Sequence, residues 1–274
     1  MTATSDFMHS RRQMISRSAT ALAGVALQPI SSALAAENPR HRADFSFAVI
    51  NDMHYRDDRC GPWFERVVAS IRRLHPRPAF VMLDGDLSES GQPAQLGAIH
   101  EIFETLPMPI HSVVGNHDCT ESGDFTAYKQ IYGSRLHYRF DCHDWQFLAF
   151  DSTHGPNVFR TRISQDALGW LDRTLPSVSR SKPVVVLTHF PLGRNWLRPL
   201  NAHAVLDRLA GYNFQAALGG HWHGITERDD HGVHLSTNRC CSWWRDNHDG
   251  SPLKGYALCH ARDGRLAHEF VAVA

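Results

Sequence analysis

The sequence predicts an α/β protein in which two sheets are covered by helices. From Phe45 onward, short apolar runs alternate with amphipathic segments. A hairpin-like stretch interrupts that alternation near the middle of the chain. No Pro/Gly/Ser-rich linker divides residues 44–274, so the elements belong to one domain. Strands alternating with helices imply βαβ units and a largely parallel core sheet.

The elements follow in order. Residues 45–52, FSFAVIND, form a short apolar run ending in an acid and read as a buried strand. Residues 62–74 place Phe64, Val67, Val68, Ile71 and Leu74 at helical spacing, with Pro62 near the first turn. Residues 79–86 read as the next strand, 93–106 as a second amphipathic helix closed by Pro107, and 109–118 as a strand and loop. A hairpin is expected over 136–152 around Cys142–Asp144, then a helix over 164–175 with Leu168, Leu171 and Leu175 on one face. A strand over 183–191, a helix over 202–211 and a strand and turn over 214–224 follow. Short strands are expected at 232–237, 255–260 and 265–273.

Composition excludes some functions. The 274 residues are 42% hydrophobic and 20% charged, with a formal net charge of +0, so there is no global basic field to hold nucleic acid. No run beyond the N-terminus is apolar and long enough to span a bilayer. The six cysteines contain no C-x-x-C pair, which argues against a zinc ribbon. In an oxidising compartment some could pair, although a bond between the adjacent Cys240 and Cys241 would be strained.

The N-terminus differs from the rest. Ser10–Ser16, SRRQMIS, precedes a modest apolar run that is broken by Gln28 and Pro29 and ends in Ala33–Ala35. This arrangement resembles a twin-arginine signal peptide over residues 1–35, with the mature chain beginning near Ala36. The resemblance implies a periplasmic or secreted protein, carried across the membrane already folded by the twin-arginine export machinery.

Polar clusters recur where the expected strands end: Asp52–His54, Gly85–Asp86, Asn116–Asp118, His189 and His221–His223. In open α/β sheets the carboxyl ends of the strands form the ligand crevice. One cluster alone says little, since D-x-H also occurs at Asp141–His143, Asp229–His231 and Asp246–His248. The ordered set is more specific: D-x-H, GD, GNHD, an isolated histidine, then GHxH. It resembles the calcineurin-like metallophosphoesterase superfamily over residues about 45–225. INDMH, GDLSESG, VVGNHD, LTHFP and GGHWHG are most similar to the class containing bacterial cyclic-nucleotide and glycerophosphodiester phosphodiesterases. The tail CSWWRDNHDGSPLKGY is similar to the end of some secreted members.

The resemblance implies a four-layer α/β/β/α sandwich of two mixed sheets over residues 36–274, with a motif core at 45–225 and a C-terminal sheet extension at 226–274. It implies two metal ions (Fe, Mn, Zn or Co) bridged by Asp86. Asp52, His54 and His223 would complete one metal site, and Asn116, His189 and His221 the other. Mixed imidazole, carboxylate and amide ligands suit all four metals. The implied reaction is hydrolysis of a small phosphodiester by in-line attack of metal-activated water. His117 would stabilise the transition state or protonate the leaving group, supported by Glu89 or by Asp118. Arg56 and Arg194, in loops beside ligands, are candidate phosphate contacts. Trp243 and Trp244 could form an apolar wall of the pocket or pack the tail onto the sheet, and packing is the expectation. Two other readings stay open: a phosphomonoesterase or nucleotidase, and a metal-bound phospholigand receptor without turnover.

Overall fold

In the computed structural model, strand β1 (Phe45–Ile50) is buried along nearly its whole length, which is why its sequence runs apolar without alternating. Its Phe47 and Val49 enter one core, and Ala48 and Ile50 enter another on the opposite face. The structure describes residues 43–193 and 195–274. The expected signal segment and Arg194 lie outside the described residues.

After β1, helix α1 (Gly61–Arg72) leads to β2 (Val81–Asp84), and α2 (Pro93–Glu104) leads to β3 (Ile110–Val113). A short helix α3 (Thr126–Tyr132) follows, then the hairpin β4 (His137–Cys142) and β5 (Trp145–Phe150). Helix α4 (Gln165–Thr174), capped by the Ser164 side chain, precedes β6 (Val184–Leu187). Helix α5 (His203–Leu209) precedes β7 (Phe214–Gly219). The chain closes with β8 (Thr226–Asp230), β9 (Val233–Thr237), β10 (Gly255–Arg262) and β11 (Arg265–Ala272).

These strands form two mixed sheets, ordered β11-β10-β1-β2-β3 and β4-β5-β6-β7-β9-β8. Strands β1, β2 and β3 are mutually parallel, as are β5, β6, β7 and β9. The flanking β10, β11, β4 and β8 pair antiparallel. Phe64, Val67, Ile71, Leu96, Ile99 and Phe103 pack helices α1 and α2 onto the first sheet. Leu168, Leu171, Val205 and Leu209 pack α4 and α5 onto the second. Phe47, Met82, Trp145, Phe147, Val185 and Leu218 fill the space between the sheets. The layers are therefore α/β/β/α, as the sequence implied.

Two elements had no expectation in the sequence. Strand β8, TERDD, lies at a sheet edge with alternate side chains exposed, so it carries no apolar signal. Helix α3 has only 7 residues. All six cysteines carry free thiols. Among the described residues, no helix is long and apolar enough to cross a membrane.

One half-buried histidine far from the strand-end clusters gives the fold a pH dependence. His111 on β3 stacks on Phe140, with ring centroids 3.7 Å apart, and burial lowers its pKa from 6.5 to about 4. The unfolded chain then binds more protons than the folded one between those values. His111 therefore stabilises fully above about pH 6.5, and that contribution fades as pH falls towards 4. The slope is at most about 1.4 kcal/mol per pH unit, and less because the ring is only partly covered. Urea unfolding across this window should show a shallower loss for His111→Gln than for the unmodified protein. Identical slopes would remove His111 as the cause.

Candidate metal centre

Five parallel strands deliver the candidate ligands to one place. Asp52 and His54 follow β1, Asp86 follows β2, Asn116 follows β3, His189 follows β6, and His221 and His223 follow β7. All seven are buried, none more than 6% exposed. Backbone bonds hold the loops in register: Asp52 N donates to Gly85 O, His54 N to Asp86 O, and Gly220 N to His189 O. Five of the seven, Asp52, His54, Asp86, His221 and His223, have φ between 48° and 65°. Non-glycine residues rarely occupy this left-handed region, and strain of this kind collects at functional sites. Close approach also needs glycine at 115, where a Cβ would stand 2.1 Å from Asp86 N, and at 220, where it would stand 2.6 Å from Asp52 Oδ2.

Three groups of potential ligands meet here: Asp52, His54 and His223; Asp86, His189 and His221; and, between them, His54, Asp86 and His117. Asp52 Oδ1 lies 3.1 Å from His223 Nε2. Asp86 Oδ2 lies 3.2 Å from His189 Nε2 and 3.6 Å from His54 Nε2, so it faces the first two groups. The remaining carboxylate oxygens are tied off: Asn51 Nδ2 and His221 N donate to Asp52 Oδ2, and His117 N donates to Asp86 Oδ1.

Each imidazole of the centre is oriented from outside. His189 Nδ1 reaches Asp84 O at 2.9 Å, His221 Nε2 reaches Val158 O at 3.1 Å, and His223 Nδ1 reaches Asp246 O at 3.3 Å. A carbonyl only accepts, so the outer nitrogen carries a proton, and it is the inner nitrogen that can turn a lone pair toward a cation. His54 Nδ1 faces the Glu89 carboxylate at 3.1 Å in the same manner. Outer oxygens of this kind orient metal-binding histidines. Asn116 Oδ1, Asp52 Oδ1 and His189 Nε2 are buried without a directed hydrogen bond, and a cation would take up their lone pairs instead.

Electrostatics agree. Burial holds His54 down at about 4 and His221 down at about 3, so both are neutral donors at physiological pH. Burial also opposes charge on His189 and His223, but Asp86 and Asp52 outweigh it and lift them to about 10 and about 11. The carboxylates thus favour positive charge between them, and a metal cation would exchange for those protons. The residues present fit a pair of divalent or trivalent ions.

His117 stands at the edge of the centre. Its ring lies 4.7 Å from that of His54, and it lines a cavity of about 380 Å³ above the cluster. Its Nδ1 donates to the backbone carbonyl of Glu89 at 2.9 Å, which leaves Nε2 as the second ring nitrogen. The expectation that an acidic side chain supports His117 is corrected in both its forms. The Glu89 carboxylate pairs instead with His54 and Arg245, because Glu89 N bonds to Tyr55 O and aligns this loop with the one after β1. Burial would raise Glu89, but His54 and Arg245 outweigh it and hold the carboxyl below its usual range. Asp118 is buried and accepts from Ser88 N, Ser88 Oγ and Gly115 N, fixing the GNHD turn.

Arg56 is directed elsewhere than the cavity. Its Nε lies 3.2 Å from Asp57, and its guanidinium sits 4.4 Å over the Trp244 ring. Among the described residues, the guanidinium that lines the cavity is Arg245, which was not foreseen, beside Trp244 and His248. Trp244 does more than pack the tail: it lines the cavity, and its Nε1 donates to His54 O at 2.9 Å. His248 stacks against His223, with ring centroids 5.1 Å apart. The signal for this segment was the dense aromatic and charged run at 243–248, which follows the last motif by some twenty residues.

Two sheets with this ligand set at their joined carboxyl ends define a metallophosphoesterase-like protein. The family model for calcineurin-like phosphoesterases matches residues 45–224, and the chain belongs to that family. The 3',5'-cyclic-nucleotide phosphodiesterase of Nostoc sp. is 26% identical over 179 residues, covering 62% of this chain and 65% of the relative. The 3',5'-cyclic adenosine monophosphate phosphodiesterase of Pseudomonas aeruginosa is 28% identical over 171 residues, covering 60% of this chain and 61% of the relative. The matched stretch thus spans less than two thirds of either relative. A dimetal phosphatase from Danio rerio shares the fold, with a TM-score of 0.63 at 16% identity over 83% of this chain and 96% of that one.

Proposed function

We propose that the protein hydrolyses small phosphodiesters at a dinuclear metal centre. The observation that carries this reading is the inward convergence of the two ligand groups on Asp86. Asp52, His54 and His223 would hold one ion, and Asn116, His189 and His221 the other, with Asp86 shared. When bound, such a pair neutralises phosphoryl oxygens and lowers the pKa of water. The chain's residues do the rest. Asp84, Val158 and Asp246 carbonyls fix the ligand tautomers, and Glu89 fixes His54. His117, pinned at Nδ1 by Glu89 O, offers Nε2 to a developing charge or leaving oxygen in the cavity.

A diester is the preferred substrate class in this proposal. The relatives named above as cyclic-nucleotide phosphodiesterases support the same preference. The purified, metal-loaded protein should turn over bis-p-nitrophenyl phosphate with a higher kcat/KM than p-nitrophenyl phosphate. The reverse order would make it a monoesterase. No turnover of either with both metals bound would favour the receptor reading.

We also propose that residues 1–35 direct export of the folded protein through the twin-arginine route. The support is the paired Arg11–Arg12 before a weak apolar run ending in Ala33–Ala35. Changing Arg11 and Arg12 to Lys should leave the precursor in the cytoplasm, whereas normal export of that variant would defeat the proposal.

A further inference from the structure

We infer that Phe159 and Trp196 form a stacking platform for a nucleobase carried on one ester arm of the substrate. The inference deepens the phosphodiester reading above and rests on it for the position of the phosphorus. Phe159 is 57% exposed and Trp196 is 66% exposed, among the few large hydrophobic side chains left open to solvent. Their rings stack on each other, with centroids 5.3 Å apart and planes 18° apart. Neither belongs to a core, so burial does not explain them. Both line the cavity whose floor includes His54, Asp86 and His117.

The platform is tied to the metal centre on each side. The carbonyl of Val158, the residue before Phe159, accepts from His221 Nε2 at 3.1 Å. Trp196 meets the edge of Trp222 at 5.8 Å, and Trp222 lies between His221 and His223 in the chain. Trp222 in turn contacts His248, another cavity residue, at 5.1 Å. The distance from the platform to the ligands is therefore set by short, packed connections. A cavity of about 380 Å³ is of the size that holds a small ligand.

The ligand class follows from geometry. A near-parallel aromatic pair with an open face is extended by a third planar ring. An alkyl or glycerol arm has no such plane and would gain only nonspecific contact. Every nucleobase has a π-face, and stacking on aromatic side chains tolerates any base.

The test uses adenosine 5'-monophosphate and ribose 5-phosphate as probes, titrated calorimetrically into the metal-loaded full chain. Adenosine 5'-monophosphate should bind at least about fivefold more tightly, the low end of what base stacking supplies. The double variant Phe159→Ala with Trp196→Ala should lose that preference and leave ribose 5-phosphate affinity unchanged. Trp196→Phe should keep most of it, which separates loss of a ring from loss of folding. Equal affinity for both probes, no measurable nucleotide binding at millimolar concentration, or an unaltered preference in the double variant each overturn the inference. A nucleotide preference without hydrolysis of bis-p-nitrophenyl phosphate would refute the phosphodiesterase reading and leave the platform standing.

Discussion

Asp86→Asn is expected to strip the protein of its paired metals and to lower kcat for a phosphodiester by at least about 10³-fold. That factor corresponds to the several kcal/mol that metal charge supplies in such sites. Asp86 faces His189 at 3.2 Å and His54 at 3.6 Å, so its charge serves both ligand groups at once. An amide there keeps the volume, and its oxygen can still accept from His117 N. It loses the negative charge that favours cations between the groups. Elemental analysis should fall from two ions per chain to one or none. Asp84 provides the contrast. It is also fully buried, but burial raises its pKa well above the ordinary value and so disfavours its charged form. By strand alternation it shares a face with Met82, towards the space between the sheets. Asp84→Asn should therefore keep both ions. Full metal content in Asp86→Asn, or metal loss only in Asp84→Asn, would overturn the shared-ligand assignment.

Much of this centre could be read from the sequence because strand ends are local events. An apolar run followed by a short polar cluster marks a place where a strand stops and the chain turns, and five such places occur in order. What lay beyond reach were contacts made by one loop on another. Glu89 follows Asp86 by three residues, and that spacing placed it beside the centre. Which group its carboxylate meets depends on the pairing of two loops, Glu89 N to Tyr55 O, and no local pattern encodes that. Arg245 was missed for a similar reason. It lies beyond the last motif, in a tail that returns through Cys241 N to Asn51 O and Trp63 Nε1 to Cys241 O. The D-x-H repeats were ambiguous for a physical cause. At Asp141–His143 and Asp229–His231 the histidine takes a positive φ at a hairpin turn, the same backbone state that His54 uses after Asp52. One local conformation serves both a turn and a ligand loop. The sequence alone could not separate them, and only the partners across the two sheets did so.

His117→Ala should lower kcat for a phosphodiester by about 10²- to 10³-fold while leaving both metals bound and KM little changed. His117 meets His54 and Asp86 in a third group, but the seven proposed ligands hold both ions without it, and its backbone N–H, which holds Asp86 Oδ1, survives the substitution. Metal content should therefore separate this variant from Asp86→Asn. The leaving group then discriminates between the two roles open to Nε2. If the imidazolium donates its proton, the loss should be small for p-nitrophenyl esters, whose phenolate leaves without help. It should be large for alkyl esters, whose alkoxide needs the proton. If the ring only stabilises charge on the phosphoryl oxygens, both substrates should suffer alike. Glu89→Gln supplies a further check. The carbonyl that orients His117 remains in that variant, whereas the carboxylate facing His54 is lost. Its main defect should therefore appear in metal affinity rather than in leaving-group dependence. A His117→Ala protein with undiminished turnover of alkyl and aryl diesters would exclude the residue from the chemistry altogether.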